Sequence, residues 1–366
     1  MDLLLALLRW LLVAVSALLV AATLLPLSGS HAWWVRMWDF PRIQLAIAQG
    51  VAAALAFSLP TPWSWLLAGA LLLCLADHLY RIRPFTPFAR REMRFAAPSD
   101  DGAQVTLLSA NVLMENDRFP LLAKLIDEVD PDVLLLMETD ARWLEALRPT
   151  LQRYPTVLAD PRDDHYGLVF ATRLKVAEAR IEHLTADDTP SVFADLQTPS
   201  GRPFHFVGLH PQPPVPGAPT AERDAQLLYA ARFARRTDVA LLTMGDFNDA
   251  AWSPTARLFK HYGRYLDPRV GRGLYASFHA ESPLVRCAID QLYVTEEVAV
   301  VDFRLGTKIG SDHLPVIARV RIDPEMARRL NRPPPPMTDE EREEIDRRVE
   351  EYRAGLRRPA VATPIA

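Results

Sequence analysis

Cysteine is nearly absent: the 366 residues contain two, Cys74 and Cys287. One of them falls in an apolar run, so the soluble part of the chain cannot build a disulfide framework and must rely on its core. A basic excess is missing too. Net charge is −4, and residues 101–322 hold 24 Lys and Arg against 30 Asp and Glu, 24 − 30 = −6. That balance argues against the broad cationic footprint of a nonspecific nucleic-acid binder. No self-similarity recurs at a fixed period of 20–50 residues, which excludes a solenoid array.

The first quarter of the chain instead has long runs almost without charge. Residues 3–25 contain one charged side chain, Arg9; residues 43–59 contain none; residues 63–80 reach Asp77 and His78 only at their end. A run of about 17–25 apolar residues can cross a bilayer as a helix. The expectation is a membrane region over residues 1–83 with three transmembrane helices (about 3–25, 43–59 and 63–80), the last two joined by the turn Pro60-Thr61-Pro62. Trp33, Trp34, Trp38, Trp63 and Trp65 lie near the proposed ends, where indoles favour the interface. A signal peptide would open on basic residues, and this chain opens Met1-Asp2. A buried helical core is the competing reading. Arg36 and Arg42 fall in the first loop, and Arg81, Arg83, Arg90, Arg91 and Arg94 follow the third run. Basic loops stay inside, so a multi-pass protein of the inner or cell membrane with a cytoplasmic domain is expected.

Residues 84–103 read as a linker, residues 104–323 as a catalytic domain, and residues 324–366 as a Pro-rich break and a charged C-terminal helix. Thr338 and Glu341 form a capping box for that helix. It lacks an apolar stripe and is expected to stay solvated. Within the domain, residues 119–129 are amphipathic with Leu121, Leu122, Leu125, Ile126 and Val129 on one face. Short apolar runs of strand type alternate with such segments, an α/β pattern.

Five polar islands interrupt those runs: Ser109-Ala110-Asn111, Met137-Glu138-Thr139, Leu209-His210-Pro211, Gly245-Asp246-Phe247-Asn248, and Ile289-Asp290 followed by Ser311-Asp312-His313. Side chains at strand ends sit on a rigid scaffold and reach into the loops above the sheet. Carboxylates, carboxamides and imidazoles there can hold a hard divalent cation and move a proton, which suits attack of water on phosphorus. Taken singly, each has another explanation. Glu138 could form a salt bridge, Asp246 and Asn248 an Asx turn, and Asn111 a turn. Tyr166 with Gly167 could line a pocket, and Trp252 and Phe278 could stack on a substrate or pack in the core.

In their order, these motifs resemble the endonuclease/exonuclease/phosphatase superfamily, which includes pancreatic deoxyribonuclease, abasic-site endonucleases, inositol-polyphosphate phosphatases and neutral sphingomyelinases. Gly245-Asp246-Phe247-Asn248 and Ser311-Asp312-His313-Leu314-Pro315 are the most specific parts, and the likeness runs over residues 104–322. The resemblance implies a four-layer αββα sandwich. It implies a Mg2+ (or Mn2+) ion held by Glu138, with Asn111 and Asp312 beside it. It implies catalytic roles for His210, Asp246, Asn248, Asp290 and His313: Asp246 activates water, Asn248 and His210 contact phosphate, and Asp290 holds His313. Some nucleases of the superfamily carry an Asp where this chain has Leu113, which points to a single ion. The expected function is a membrane-anchored, metal-dependent phosphodiesterase acting on a nucleic acid or a lipid head group, with Tyr166 and Trp252 as substrate contacts. The bilayer is a partner through the N-terminal helices, and no protein partner is evident. A membrane-tethered binding module without turnover is the alternative.

Overall fold

Strand-forming runs and amphipathic helices alternate from residue 104 onward, and they fold as two sheets stacked face to face with helices outside. The computed structural model describes residues 2–185, 189–235, 239–282 and 284–356. The chain begins with four helices, α1 (Asp2–Leu24), α2 (Trp33–Arg36), α3 (Arg42–Ala56) and α4 (Trp63–Ile82). The domain then runs β1 (Gln104–Asn111), α5 (Phe119–Val129), β2 (Val133–Met137), α6 (Ala141–Ala146), α7 (Arg148–Leu151), β3 (Thr156–Asp160), β4 (Leu168–Thr172), β5 (Lys175–His183), β6 (Pro190–Gln197) and β7 (Pro203–Leu209). It continues through α8 (Ala221–Arg235), β8 (Ala240–Asp246), α9 (Pro254–Tyr262), β9 (Asp290–Val294), β10 (Val298–Leu305) and β11 (Val316–Ile322), and ends in α10 (Pro324–Leu330) and α11 (Asp339–Leu356).

One sheet has the order β10-β11-β1-β2-β4-β3 and the other β5-β6-β7-β8-β9. Leu107, Leu135 and Phe170 of the first face Phe206, Leu242 and Leu292 of the second in a shared apolar core. Leu122, Leu125, Ile126 and Trp143 cover the outer face of the first sheet. Leu227, Ala230, Ala231 and Phe259 cover the other. Strands β2 and β8 are therefore buried along their whole length, which is why they read as continuous apolar runs instead of alternating ones. The expected αββα layering is what forms.

Each sheet contains one parallel pair at its centre, β1 with β2 and β7 with β8. Parallel neighbours end on the same side, so Asn111, Glu138, His210 and Asp246 emerge together. Ligands of α/β sheets gather outside the carboxyl ends of strands for this reason.

The N-terminal region differs from expectation. Helices α1 and α4 are long and apolar enough to cross a membrane. Helix α3 has 15 residues, about 22 Å at 1.5 Å per residue, against an apolar layer of roughly 30 Å. Three full-length spans are thus not shown. Leu3, Leu4, Trp10, Leu66 and Leu73 face outward from the bundle.

The segment read as a linker is docked on the domain. Met93 is buried in the inter-sheet core, Arg94 N donates to Leu330 O at 3.0 Å, and Ala96 N donates to Val300 O at 2.8 Å. The charged tail is docked as well. Met337, Ile345 and Val349 pack against α8, and Arg232 meets Asp346 at 3.0 Å. Ile345 and Val349 are four apart and share a face, a stripe too narrow to stand out in a sequence dominated by charge. Residues 357–366 of the expected tail lie outside the described part.

Candidate active site

Two glycines set the backbone of the site. Gly245 closes β8 with φ 144°, and a Cβ there would collide with the Leu209 carbonyl of the parallel neighbour β7. Only glycine permits this approach, which carries Asp246 up to the end of β7. A Cβ on Gly167 would collide with the Thr139 carbonyl, so the 165–167 loop can lie across the end of β2 and over Glu138. Leu113 (φ 59°), Glu138 (φ 60°), His165 (φ 68°) and Asn248 (φ 46°) have left-handed backbones, an uncommon choice for side-chain-bearing residues.

The acidic half is organised by one carboxamide. Asn111 Nδ2 donates to Glu138 Oε1 at 2.7 Å and to Asp246 Oδ2 at 3.2 Å. Its Oδ1 accepts from Leu113 N at 3.1 Å. Asp246 Oδ1 accepts from Asn248 N at 2.9 Å, and Asn248 Nδ2 donates to Pro211 O at 2.9 Å. Asp246 and Asn248 do form the Asx-type turn that their spacing allows, and the same turn ties the Pro-rich loop after His210 to the site. Asp246 is buried. Burial raises its carboxyl above the usual range, and His313 offsets this only in part, while Asp290 adds to it.

The basic half is an ion pair. His313 Nδ1 donates to Asp290 Oδ2 at 2.7 Å, and its Nε2 lies 3.6 Å from Asp246 Oδ2. Burial disfavours the imidazolium, but the Asp290 and Asp246 carboxylates outweigh burial and push the pKa up to about 10. His313 is therefore charged at neutral pH. His210 is the opposite case. Burial holds its pKa below the ordinary imidazole value, and its buried Nδ1 has no hydrogen-bond partner among the described residues.

Glu138, Tyr166, His210, Asp246, Asn248, Asp312 and His313 line one cleft of about 400 Å³. Tyr166 sits with its ring 5.6 Å from that of His210. Asn111 and Asp290 support the cleft from below through the bonds just given. Asp312 lines the wall, where its Oδ1 accepts from Ser311 Oγ at 3.4 Å. Trp252 is the exception among the expected site residues. It is 1% exposed, its ring packs edge-on to Phe85, and its Nε1 donates to Asp39 O at 2.7 Å. An indole enclosed in this way cannot stack on a substrate. Its role is to dock the N-terminal segment.

The cleft also contains residues that the motif pattern does not single out. His165 Nδ1 lies 3.4 Å from Glu138 Oε2. Met37 and Phe40 form part of the wall. Behind Asn248, Arg223 Nη1 donates to the Asn248 carbonyl at 3.0 Å and meets Asp249 at 3.4 Å. Asp249 is buried, accepts from Ser253 Oγ, and burial pushes its pKa up to about 6.

Asp246, Asp290 and His313 each place one potential metal-ligand atom within 4.8 Å of the others. Residues 108–313 match the Endonuclease/Exonuclease/phosphatase family. The chain belongs to that family. Among curated proteins none matches. Solved structures with the same fold include D. rerio TDP2 complexed with a single-strand DNA product, 18% identical over 60% of this chain and 99% of that one, with a TM-score of 0.51. An endonuclease/exonuclease/phosphatase from Bacteroides vulgatus is 17% identical over 60% and 99%, with a TM-score of 0.50. The human Nocturnin catalytic domain with bound sulfate is 17% identical over 63% and 96%, also with a TM-score of 0.50.

Proposed function

We propose that this family member is a membrane-anchored phosphodiesterase that uses a divalent metal and an activated water. The observation that carries the reading is the Asn111 amide shared by Glu138 and Asp246 opposite the Asp290–His313 ion pair. The carboxylates of Glu138 and Asp246 converge on the Asn111 amide, and carboxylate oxygens are the donors that fit a hard cation. Glu138 and Asp312 would hold Mg2+ or Mn2+, with Asn111 positioning the Glu138 carboxylate through its amide. The alternative trio containing His313 cannot accept a cation while the imidazole keeps its proton. Bound there, the metal supplies charge neutralisation at the phosphoryl oxygens and lowers the pKa of water.

The chain's own residues supply the rest. Asp246, a stronger base than an exposed carboxylate, takes the proton from water as its oxygen bonds to phosphorus. The His313 imidazolium faces the charge that builds on the phosphoryl oxygens, where a preorganised donor in a dry site is most effective. Asp290 keeps it charged and oriented. Neutral His210 and Asn248 bind phosphate oxygens.

Membrane anchoring is supported by outward-facing apolar side chains on two helices of spanning length. The ends of α1 and α4 nearest the domain, and the start of α3, are tied to it by contacts such as Trp252 with Asp39. The turn beyond α3 brings Leu59 and Trp63 beside Arg9 and Trp10 in one groove. The three helices then cross together despite the shortness of α3. The seven arginines on the domain side favour a cytoplasmic domain. Hydrolysis of bis-p-nitrophenyl phosphate with and without magnesium tests the activity; no turnover under either condition refutes it. A C-terminal alkaline phosphatase fusion tests the orientation, and an active fusion reverses it.

A further inference from the structure

Two residues of the catalytic cleft come from outside the catalytic domain. Met37 and Phe40 belong to the segment between α1 and α3, and they face His210, Asn248 and His313 across the cleft. The segment is held from several sides. Trp252 Nε1 donates to Asp39 O at 2.7 Å, and Cys287 Sγ to Phe40 O at 3.7 Å. His31 Nδ1 meets Asp224 Oδ2 at 3.0 Å, and Thr220 N donates to His31 O at 2.8 Å. Asp39 is in turn paired with Arg36 at 3.4 Å and Arg42 at 2.7 Å, and Arg42 reaches Asp77 of α4 at 3.3 Å. A fixed contact network therefore runs from the apolar helices to the wall of the reaction centre.

The chemistry of the cleft is split in two. Its polar side is formed by Glu138, His165, His210, Asp246, Asp312 and His313. Its upper wall is Met37, Phe40, Pro213, Pro214, Phe278 and Ile289. No Lys or Arg lines it among the described residues. A polynucleotide track needs cations at successive phosphates, and this cleft offers none beyond its histidines. The mouth also lies at the base of the apolar bundle. Gln44 in the first turn of α3 donates to Leu284 O at 2.8 Å, and Leu284 and Val285 are 78% and 58% exposed beside it. Met37 is 41% exposed. Exposed apolar residues grouped in this way mark a contact surface, and here they continue the surface that the bilayer would cover.

We infer that the substrate is a phosphodiester carried on a membrane-embedded lipid, whose head group enters the cleft past Met37 and Phe40 while its chains stay in the bilayer. This rests on the phosphodiesterase reading above. Water adds across one P–O ester bond: hydroxyl goes to phosphorus and the proton to the leaving alcohol, giving a phosphomonoester and an alcohol. Met37 and Phe40 determine specificity by accepting the apolar part of the substrate next to the scissile phosphate.

The test uses the full-length protein reconstituted in vesicles of equal parts phosphatidylglycerol, phosphatidylethanolamine, phosphatidylcholine, phosphatidylinositol and sphingomyelin, with magnesium. Phosphomonoester release is followed by phosphorus NMR, beside a single-stranded oligonucleotide and bis-p-nitrophenyl phosphate. Lipid turnover should exceed oligonucleotide turnover by about tenfold or more, the scale on which apolar contacts discriminate. Met37→Glu should lower the ratio of lipid to bis-p-nitrophenyl phosphate turnover by a similar factor. The pair Leu284→Ser and Val285→Ser should slow lipid turnover and leave bis-p-nitrophenyl phosphate turnover unchanged. Oligonucleotide cleavage faster than lipid cleavage, inert lipid beside active bis-p-nitrophenyl phosphate, or an unmoved ratio in Met37→Glu overturns the lipid assignment alone. Inertness toward all three substrates overturns the phosphodiesterase reading and this inference with it.

Discussion

Trp252 Nε1 and the Asp39 carbonyl meet at 2.7 Å across 213 positions of sequence. The bond joins the turn between the Gly-Asp-Phe-Asn motif and α9 to the segment that leads out of α1. The loops of the site and the N-terminal apolar helices are thus packed against one another.

Metal dependence should be complete. Chelator should abolish bis-p-nitrophenyl phosphate hydrolysis, and magnesium or manganese should restore it, because oxygen donors select hard cations. Glu138→Gln should need more metal for half-maximal rate, measured by titrating magnesium at fixed substrate. Full activity in chelator would exclude metal assistance.

Asp246→Asn is nearly isosteric and should keep the fold while losing roughly 10²–10⁴-fold in kcat/KM through loss of the base. His313→Ala should lose about 10²–10³-fold, as for a missing oxyanion donor. The two act on one centre, so the double variant should lose less than the product of the singles. Thermal unfolding serves as the control for folding. A single variant with near-wild-type turnover means that the residue is outside the reaction.

The pH profile should be bell-shaped. Asp246 must be ionised, and burial has raised its pKa, so activity should rise only above the usual carboxylate range. His313 must be protonated, and activity should fall as pH climbs through about 10. Asp290→Asn removes the partner at 2.7 Å and should move the alkaline limb down by about 1–3 units. An unmoved limb would assign that ionisation to another group.

Arg223 is fully buried against Asp224 at 2.8 Å and Asp249 at 3.4 Å. Arg223→Ala takes the guanidinium away from two enclosed carboxylates, leaving Asp224 with His31 and Asp249 with only the Ser253 hydroxyl, and should cost about 3–5 kcal/mol in urea unfolding. It also releases the Asn248 carbonyl, so kcat should drop at temperatures where the variant is still folded. A loss below 1 kcal/mol would mean that water reaches the cluster.

Much of this was legible in the sequence because chemistry and scaffold share a signal. Asn111, Glu138, His210 and Asp246 each end a strand, and a polar residue that closes an apolar run stands out. His165 precedes its strand instead, in the run Asp163-Asp164-His165 that looks like an ordinary solvated turn. Edge strands β3 and β5 are half exposed, so no buried run announces them. Trp252 reads as a stacking candidate because an aromatic near a motif has the same signature whether it faces the cleft or the core. Met37 and Phe40 join the site only through tertiary contact, which no local pattern records. The buried face of α11 is two residues wide and is hidden by its charges.

Of the seven non-glycine residues with positive φ among the described residues, Leu113, Glu138, His165 and Asn248 stand at the site. Such a backbone costs up to about 1–2 kcal/mol relative to glycine in the same conformation, and least at Asn248. Turnover and durability therefore pull in opposite directions at these four positions. Heat selection applied without a demand for catalysis favours glycine there, and it would strip Glu138 and Asn248 from the cleft while leaving the sandwich firmer than before.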